Sequence, residues 1–138
     1  DAGSGVLIYP EGKRFSEARR AAAVATLAER GEAPLARIAR TFRNVLPPKV
    51  RGPLALLDAA PGVDVLLLEH TGFEGAATFP ELWHGALVGG TLHVRLRRFA
   101  ASGIPAEGRD LWLFERWAEM DRWITDARGA GAEGRERA

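Results

Sequence analysis

Two kinds of apolar pattern recur along this chain, and they predict different elements. Val6-Leu7-Ile8-Tyr9 is a continuous run of strand-forming residues ended by Pro10, which predicts an interior strand. Val63 to Glu69 is a second such run and predicts a strand buried on both faces. Thr91 to Phe99 alternates instead, which predicts a half-exposed strand. Its apolar side carries Leu92, Val94 and Leu96, and its predicted outer side carries His93, Arg95 and Arg97.

The first helices are predicted from their start and stop signals. Ser16 is a suitable N-cap for a helix over about Glu17 to Arg30, and Gly31 supplies the stop. Four residues fall on the apolar face of that helix: Ala21, Val24, Ala25 and Ala28. Pro34 favours the opening of a second, short helix that runs through Arg40.

Three further helices are predicted beyond a proline-rich loop. Asn44 to Pro48 is predicted to be extended, because residues before proline avoid the helical region. A helix follows from Gly52-Pro53 to Pro61-Gly62, and a short one spans Pro80 to Leu87. The last covers Glu107 to about Ala127, with an apolar stripe of Leu113, Trp117, Met120 and Ile124 that is widened by Trp112 and Trp123.

Strands and helices interleave along the whole chain, which predicts an α/β fold with a single sheet covered by helices. The 138 residues suffice for one domain, which we place at residues 1–128. Residues 129–138 mix glycine, alanine and charged residues and are predicted to form a disordered tail. Because the first residue is Asp1 and a buried-looking strand follows at once, we expect the chain to be part of a larger protein.

Composition and charge narrow the functional classes. Lysine and arginine number 19 and aspartate and glutamate 18, so the nearly balanced net charge does not favour a nucleic-acid partner. Any functional positive charge must therefore be local. The chain has no cysteine, which excludes disulfides, thiolate metal sites and a cysteine nucleophile. No apolar run approaches the roughly 20 residues of a membrane-spanning helix.

The turn between the first predicted strand and the first helix carries the candidate chemistry. Gly12 lets the backbone approach a ligand closely, and Arg14 presents a planar fork that matches phosphate oxygens. Lys13 adds a second positive charge, and the amides that open the next helix are further donors. These residue types predict a phosphate cradle. The alternative is a charged surface turn, because Pro-Glu-Gly turns with basic neighbours are common.

Two motifs in this order resemble the glycerolipid acyltransferase family. The segment Ile8-Tyr9-Pro10-Glu11-Gly12-Lys13-Arg14-Phe15-Ser16 resembles the third conserved block, Phe-Pro-Glu-Gly-Thr-Arg, which one branch continues with Phe and Ser or Thr. The segment Asn44-Val45-Leu46-Pro47-Pro48-Lys49-Val50-Arg51-Gly52 is similar to the fourth block of that branch. The later elements follow in a similar order, down to a tryptophan-rich helix that ends near Glu119-Met120-Asp121. The resemblance therefore covers nearly the whole chain.

The resemblance implies the C-terminal part of a glycerol-3-phosphate acyltransferase-like fold. The implied activity, in phospholipid biosynthesis, is transfer of an acyl group from acyl-CoA or acyl-carrier protein to lysophosphatidic acid or a related glycerolipid acceptor. The donor is a substrate, so no cofactor or metal is expected. The implied location is the cytoplasmic face of the membrane, with membrane contact through a preceding N-terminal part and with no nucleic-acid partner.

Residue roles are also implied by the resemblance. Arg14 matches the arginine that binds the acceptor phosphate, and Glu11 matches the glutamate that helps to hold the acceptor and the loop. Gly12 matches the position of close approach. Lys13 stands where the family usually has threonine, which adds charge and bulk and bears on the identity of the acceptor.

The proline-rich segment has a second implied role. Pro47 and Pro48, together with Leu46, match residues that shape the wall beside the acyl or acceptor channel. Lys49 and Arg51 follow directly, and we interpret them as solvated surface charges rather than as ligand-binding residues.

The catalytic pair of the family is not found in this sequence. The family uses histidine as the general base on the acceptor hydroxyl, held by aspartate in a His-x-x-x-x-Asp motif, because a neutral imidazole has a suitable pKa. Five positions after His70, His84 and His93 stand Gly75, Gly89 and Arg98. We therefore expect a fragment of an acyltransferase that is inactive by itself, its catalytic pair lying upstream.

The rival prediction is a noncatalytic module that binds an anionic lipid or a phosphorylated ligand. The sequence upstream of Asp1 discriminates between the two, since it either contains His-x-x-x-x-Asp or does not. A nucleotide-binding domain is disfavoured, because neither Gly-x-x-x-x-Gly-Lys-Ser/Thr nor Gly-x-Gly-x-x-Gly is present.

Two surface features leave alternatives open. The tryptophan-rich helix is predicted to face the core rather than a membrane, because acidic residues would oppose anionic lipid: Glu115, Glu119, Asp121 and Asp126. A set of arginines is predicted either to form a basic surface beside the acceptor site or to be a solvated helix face: Arg19, Arg20, Arg37, Arg40 and Arg43.

Overall fold

The computed structural model describes residues 5–72 and 91–136, with side chains up to residue 130. In these ranges the chain forms a small mixed α/β domain with four α-helices and one antiparallel sheet of two strands. The helices are α1 (Glu17–Glu29), α2 (Ala33–Ala39), α3 (Arg51–Ala59) and α4 (Arg109–Glu136). The strands are β1 (Val65–Thr71) and β2 (His93–Phe99), and a short 3-10 turn covers Ala101–Gly103. The predicted helix over Pro80 to Leu87 lies outside the described residues.

The ends of the first helices follow the local signals of the sequence. The Ser16 hydroxyl accepts a hydrogen bond from the Arg19 amide at 3.3 Å and caps α1. Gly31 adopts a φ of 76° just after α1, a conformation that costs glycine little. Pro34 lies in the first turn of α2, where its missing N–H is not needed. The predictions of these two helices, and of α3 within about two residues, are confirmed.

The hydrophobic core lies between the helices. Phe42 follows α2 and stacks on Phe114 of α4 with ring centroids 6.4 Å apart. The predicted stripe of α4 is buried, which confirms that its tryptophans face the core: Trp112, Leu113, Trp117, Met120 and Ile124. Of the four residues predicted for the apolar face of α1, only Val24 is buried, and Leu27 packs beside the core instead. The buried face of α1 is therefore rotated from the prediction.

The predicted interior strand at residues 6–9 is wrong. These residues form no strand in the structure, and Val6, Leu7 and Tyr9 are largely exposed. A strand needs a hydrogen-bonded neighbour, and in the described residues β1 and β2 pair only with each other. An apolar run is thus insufficient to make a strand when no sheet edge lies beside it.

The predicted burial of β1 on both faces is also wrong. Leu66 is 58% exposed and Leu68 is 59% exposed, whereas Glu69 and Thr71 on the opposite face are buried. Helix α4 covers one face of the sheet, and no described element covers the other. Among the described residues, helices therefore cover only one face of this sheet.

The orientation predicted for β2 is reversed. The strand alternates as expected, but Val94 and Leu96 are exposed while Arg95 and Arg97 turn towards α4. The reason lies in the pairing, since Glu69 is opposite Arg95 in the register. Its buried carboxylate forms salt bridges with both arginines, and Arg97 continues to Glu119 of α4 at 2.5 Å. The compensated charges can therefore lie on the inner face.

Helix α4 is longer than predicted. It continues beyond the expected end at about Ala127 as far as Glu136, and so extends into residues 129–138, where we expected a tail. In the described part of the chain no helix is both long and apolar enough to cross a membrane.

Candidate anion-binding site

The loop that precedes α1 is shaped by a glycine turn. The Gly12 amide donates to the carbonyl of Tyr9 at 3.1 Å, and Gly12 has a φ of 65°, which other residues rarely adopt. A side chain at this position would also meet Lys49, because a Cβ built there would lie 3.0 Å from the Lys49 ammonium nitrogen. Gly12 therefore allows the turn, and the tip of the Lys49 side chain lies beside it.

That second loop is the proline-rich segment, and the two are joined directly. The Lys49 amide donates to the Pro10 carbonyl at 2.9 Å, and the Leu46 amide donates to the Glu11 carboxylate at 2.9 Å. We call this contact between residues 9–14 and residues 43–50 the loop junction. It joins residues that are 35 positions apart for Glu11 with Leu46 and 39 positions apart for Pro10 with Lys49.

Glu11 is the central side chain of the loop junction. One carboxylate oxygen accepts from Leu46, and the other accepts from the Trp117 indole of α4 at 3.3 Å. Burial raises the pKa of the Glu11 carboxyl, the two hydrogen bonds oppose that effect, and the nearby carboxylate of Asp121 adds to it. The Glu11 carboxylate therefore holds the loop against Leu46 and α4 rather than extending into solvent.

Asp121 fixes the other end of the loop junction, a role that its residue type and position alone do not predict. Its buried carboxylate accepts from the Arg43 amide at 2.9 Å and from the Asn44 amide at 2.7 Å. The Asn44 side chain donates in turn to the Thr125 hydroxyl at 2.8 Å. A signal was present in the sequence, because Asp121 lies one helical turn after Trp117 and beside Met120, on the apolar stripe. An acidic residue there is rarely buried without partners.

The predicted site residues divide into a buried and an exposed group. Pro47 and Pro48 are buried and join Glu11 in the support of the loop. Lys13 and Arg14 are exposed, and Arg14 uses its carbonyl to accept from the Arg19 guanidinium at 3.0 Å. Within the described residues no salt bridge involves Lys13, Arg14 or Lys49, although the Lys49 ammonium lies over Gly12. Lys13, Arg14 and Lys49 thus bring positive charge to the loop junction, and none of them has a described counter-ion.

Pro47 and Pro48 were expected to shape the wall of a channel. In the structure they lie in the loop junction, next to Leu46, and are buried with it. Lys49 was interpreted as a solvated charge and is exposed, but its position over Gly12 also makes it a neighbour of the candidate site. Arg51 is exposed at the first residue of α3.

An open depression of about 390 Å³ lies farther along α1. We call it the basic depression, and it is lined by Glu17, Arg20, Arg40, Thr41, Phe42 and Arg43. It is not lined by Lys13 or Arg14. The two basic regions are adjacent on α1, because Arg19, which contacts the Arg14 carbonyl, directly precedes Arg20.

The described part of the chain holds no group of three acidic, histidine or cysteine side chains arranged to hold a metal ion. His70 is exposed at the end of β1 and His93 begins β2, whereas His84 lies outside the described residues. Neither described histidine belongs to the loop junction.

The described residues therefore form a mixed α/β domain in which a loop, held by buried contacts, carries exposed positive charge. No protein-family model, no curated protein and no solved structure matches this chain.

Proposed function

We propose that this chain is the acceptor-binding part of a glycerolipid acyltransferase, in which Arg14 and Lys13 bind the phosphate of lysophosphatidic acid or a related glycerolipid. The implied reaction is transfer of an acyl group from acyl-CoA or acyl-carrier protein to the free hydroxyl of that acceptor. We propose further that it takes place at the cytoplasmic face of a membrane.

The observation that carries this proposal is the loop junction. The two segments that resemble consecutive blocks of the family are in contact, through Glu11 with Leu46 and through Pro10 with Lys49. The contact places the turn at Gly12 next to a lysine from the other segment. The buried Glu11 carboxylate needs hydrogen-bond donors, and the Leu46 amide and the Trp117 indole supply them and so hold the turn in one position.

The charges around the turn suit a phosphate monoester. A guanidinium offers two parallel N–H donors to two phosphate oxygens, and an ammonium adds charge without fixed geometry. Arg14, Lys13 and Lys49 supply one such fork and two such ammonium groups. Because Lys13 and Arg14 are exposed, they retain most of their freedom until a ligand binds, and the supported backbone beneath them limits what must be ordered.

The chemical step needs groups that this sequence does not supply. A hydroxyl must lose its proton as it attacks the thioester carbonyl, and a histidine oriented by a carboxylate is suited to accept that proton. No histidine of the chain precedes an aspartate by five residues. We therefore expect these 138 residues to bind the acceptor without acylating it, which also keeps a noncatalytic module for phosphorylated ligands as the second candidate.

Binding of glycerol 3-phosphate, with glycerol as the uncharged control, tests the proposal. Titrations followed by amide chemical shifts should perturb residues 11–16 with the phosphate ester only. Arg14→Ala should weaken this binding about tenfold, and Arg14→Lys should weaken it less, since it keeps the charge and loses the fork. Arg122→Ala is the matched control, because Arg122 is an exposed arginine of α4 outside the site.

Two results would count against the proposal. The first is equal affinity of the parent chain and Arg14→Ala for glycerol 3-phosphate. The second is formation of phosphatidic acid from lysophosphatidic acid and acyl-CoA by the 138-residue chain above a heat-denatured control, which would contradict the expected inactivity. If glycerol 3-phosphate does not bind to the parent chain at all, both the acyltransferase role and the phosphate-binding alternative at Arg14 are contradicted.

A further inference from the structure

We propose that the basic depression is a second phosphate-binding site, formed by Arg20, Arg40 and Arg43. This site is separate from the one proposed at Arg14 and does not depend on it. Its ligand is a phosphate group, either of a small soluble molecule or of a lipid headgroup.

The depression combines three guanidinium groups from different parts of the chain. Arg20 comes from α1, Arg40 caps the C-terminus of α2, and Arg43 lies in the loop that follows. Glu17 is the single acidic residue of the lining and is already paired with Arg20. The lining therefore keeps an excess of positive charge, and its volume of about 390 Å³ is within the range of ligand-sized sites.

The backbone of this site and its Arg20 side chain are held in place before any ligand binds. The Arg20 guanidinium donates to the Arg40 carbonyl at 2.9 Å, which links α1 to the end of α2. The backbone of Arg43 is fixed by its bond to the buried Asp121 carboxylate. Phe42 lies at the base of the depression and is held there, because it is almost fully buried and stacks on Phe114. Such preorganisation lowers the entropy that binding must overcome.

Two of the three guanidinium groups can be reached directly by a ligand. The side chains of Arg40 and Arg43 are exposed and form no salt bridge within the described ranges. Phosphate oxygens are the acceptors that arginine forks match best. Arg19 and Arg37, both exposed nearby in the sequence, add positive charge to the same two helices.

Structural explanations compete for Arg40 and Arg20. A cation at a helix C-terminus interacts favourably with the helix dipole, and Arg40 is the C-cap of α2. The Arg20 guanidinium pairs with Glu17 and links α1 to the end of α2. Neither explanation accounts for Arg43, which lies beyond the helix. Both predict a change in stability on substitution, whereas the proposed site predicts a change in phosphate binding.

The test is a titration of the 138-residue chain with inorganic phosphate, with chloride at equal ionic strength as the reference, followed by amide chemical shifts. Phosphate should perturb the amides of Thr41, Phe42 and Arg43. The double variant Arg40→Ala/Arg43→Ala should weaken that response about tenfold or more, and Arg122→Ala should leave it unchanged. If the alanine variant does not fold, Arg40→Lys/Arg43→Lys keeps the charge and should still bind more weakly than arginine.

A parallel arm identifies the source of the phosphate. Sedimentation with phosphatidylcholine vesicles, with and without phosphatidic acid, reports binding to a lipid headgroup. A response to soluble phosphate or to phosphatidic acid that is lost in the double variant supports the site and assigns its ligand. A response equal in the parent and the double variant, or no response to either probe, overturns it. Arg14→Ala separates the two proposals, since it should weaken the response of residues 11–16 and not that of residues 41–43.

Discussion

The loop junction and the inner face of the sheet both bury carboxylates beside α4, but they neutralise them differently. In the loop junction, Glu11 and Asp121 accept mainly from backbone amides and from an indole. On the sheet, Glu69 accepts from the guanidinium groups of Arg95 and Arg97. Every residue except proline has a backbone amide, so carboxylates that accept from amides fix the path of the loop backbone. Guanidinium groups occur only on arginine side chains, so a carboxylate that accepts from them fixes which face of the strand turns inward.

This difference also concerns function. The loop junction leaves the basic side chains of its rim without a described counter-ion, because its buried carboxylates are satisfied from the backbone and from Trp117. The arginines of β2 are instead paired, Arg95 and Arg97 with Glu69 and Glu119, and Arg98 with Asp64. Positive charge available to a ligand is therefore found at the loop junction and the basic depression, rather than on the basic strand that the sequence makes conspicuous.

The largest effect is expected on the sheet, from Glu69→Ala. This change would leave Arg95 and Arg97 partly buried without their shared counter-ion, which should lower the free energy of unfolding by about 3–5 kcal/mol. Urea denaturation measures the loss. Glu119→Ala is the matched control, because Glu119 is a more exposed member of the same network and should lower it by no more than about 1 kcal/mol. Equal losses would show that burial of the carboxylate is not what matters here.

A smaller effect is expected in the loop junction, from Asp121→Ala. The Arg43 and Asn44 amides would lose their acceptor, which should lower the free energy of unfolding by about 2–3 kcal/mol. Phosphate-dependent chemical shifts of residues 41–44 should weaken as well, since the backbone there would no longer be fixed. Asp126→Ala, an exposed acidic residue one turn later in α4, serves as the control and should change neither quantity. Full retention of stability in Asp121→Ala would contradict this account.

The smallest effect is expected from Glu11→Gln, and it depends on pH. The pKa of the Glu11 carboxyl is raised in the folded protein, chiefly by burial, above its ordinary value of 4.5. The folded state therefore binds this proton more tightly than the unfolded state. The contribution of Glu11 to stability is largest below pH 4.5 and falls as the pH rises through the raised pKa.

Glutamine keeps an acceptor for the Leu46 amide and cannot ionise. The free energy of unfolding of Glu11→Gln, relative to the parent chain, should thus increase between pH 4 and pH 7. Urea denaturation of both proteins across this range measures the difference. A difference that moves in favour of the parent as the pH rises would contradict the assigned direction of the pKa shift.

The site was only partly predictable from the sequence. The turn at Gly12 and the exposed Lys13 and Arg14 follow from local residue types, and the resemblance paired this segment with Pro47 and Pro48. The supporting contacts of Glu11 with Trp117 span more than 100 residues, and no local pattern encodes them. The same holds for Asp121 beneath Arg43, because a side chain on a helix is matched to a loop only when the chain has folded.

What the sequence determined by itself is the position of the first three helices, with their ends to within about two residues. Ser16, Gly31 and Pro34 act on their nearest neighbours through hydrogen bonds and allowed backbone angles, so their effects are local and readable. The tertiary structure decided which apolar runs became strands and which face of the sheet was buried. Strand pairing and ion-pair burial depend on partners distant in the chain, and for β2 the buried carboxylate of Glu69 outweighed the apolar pattern.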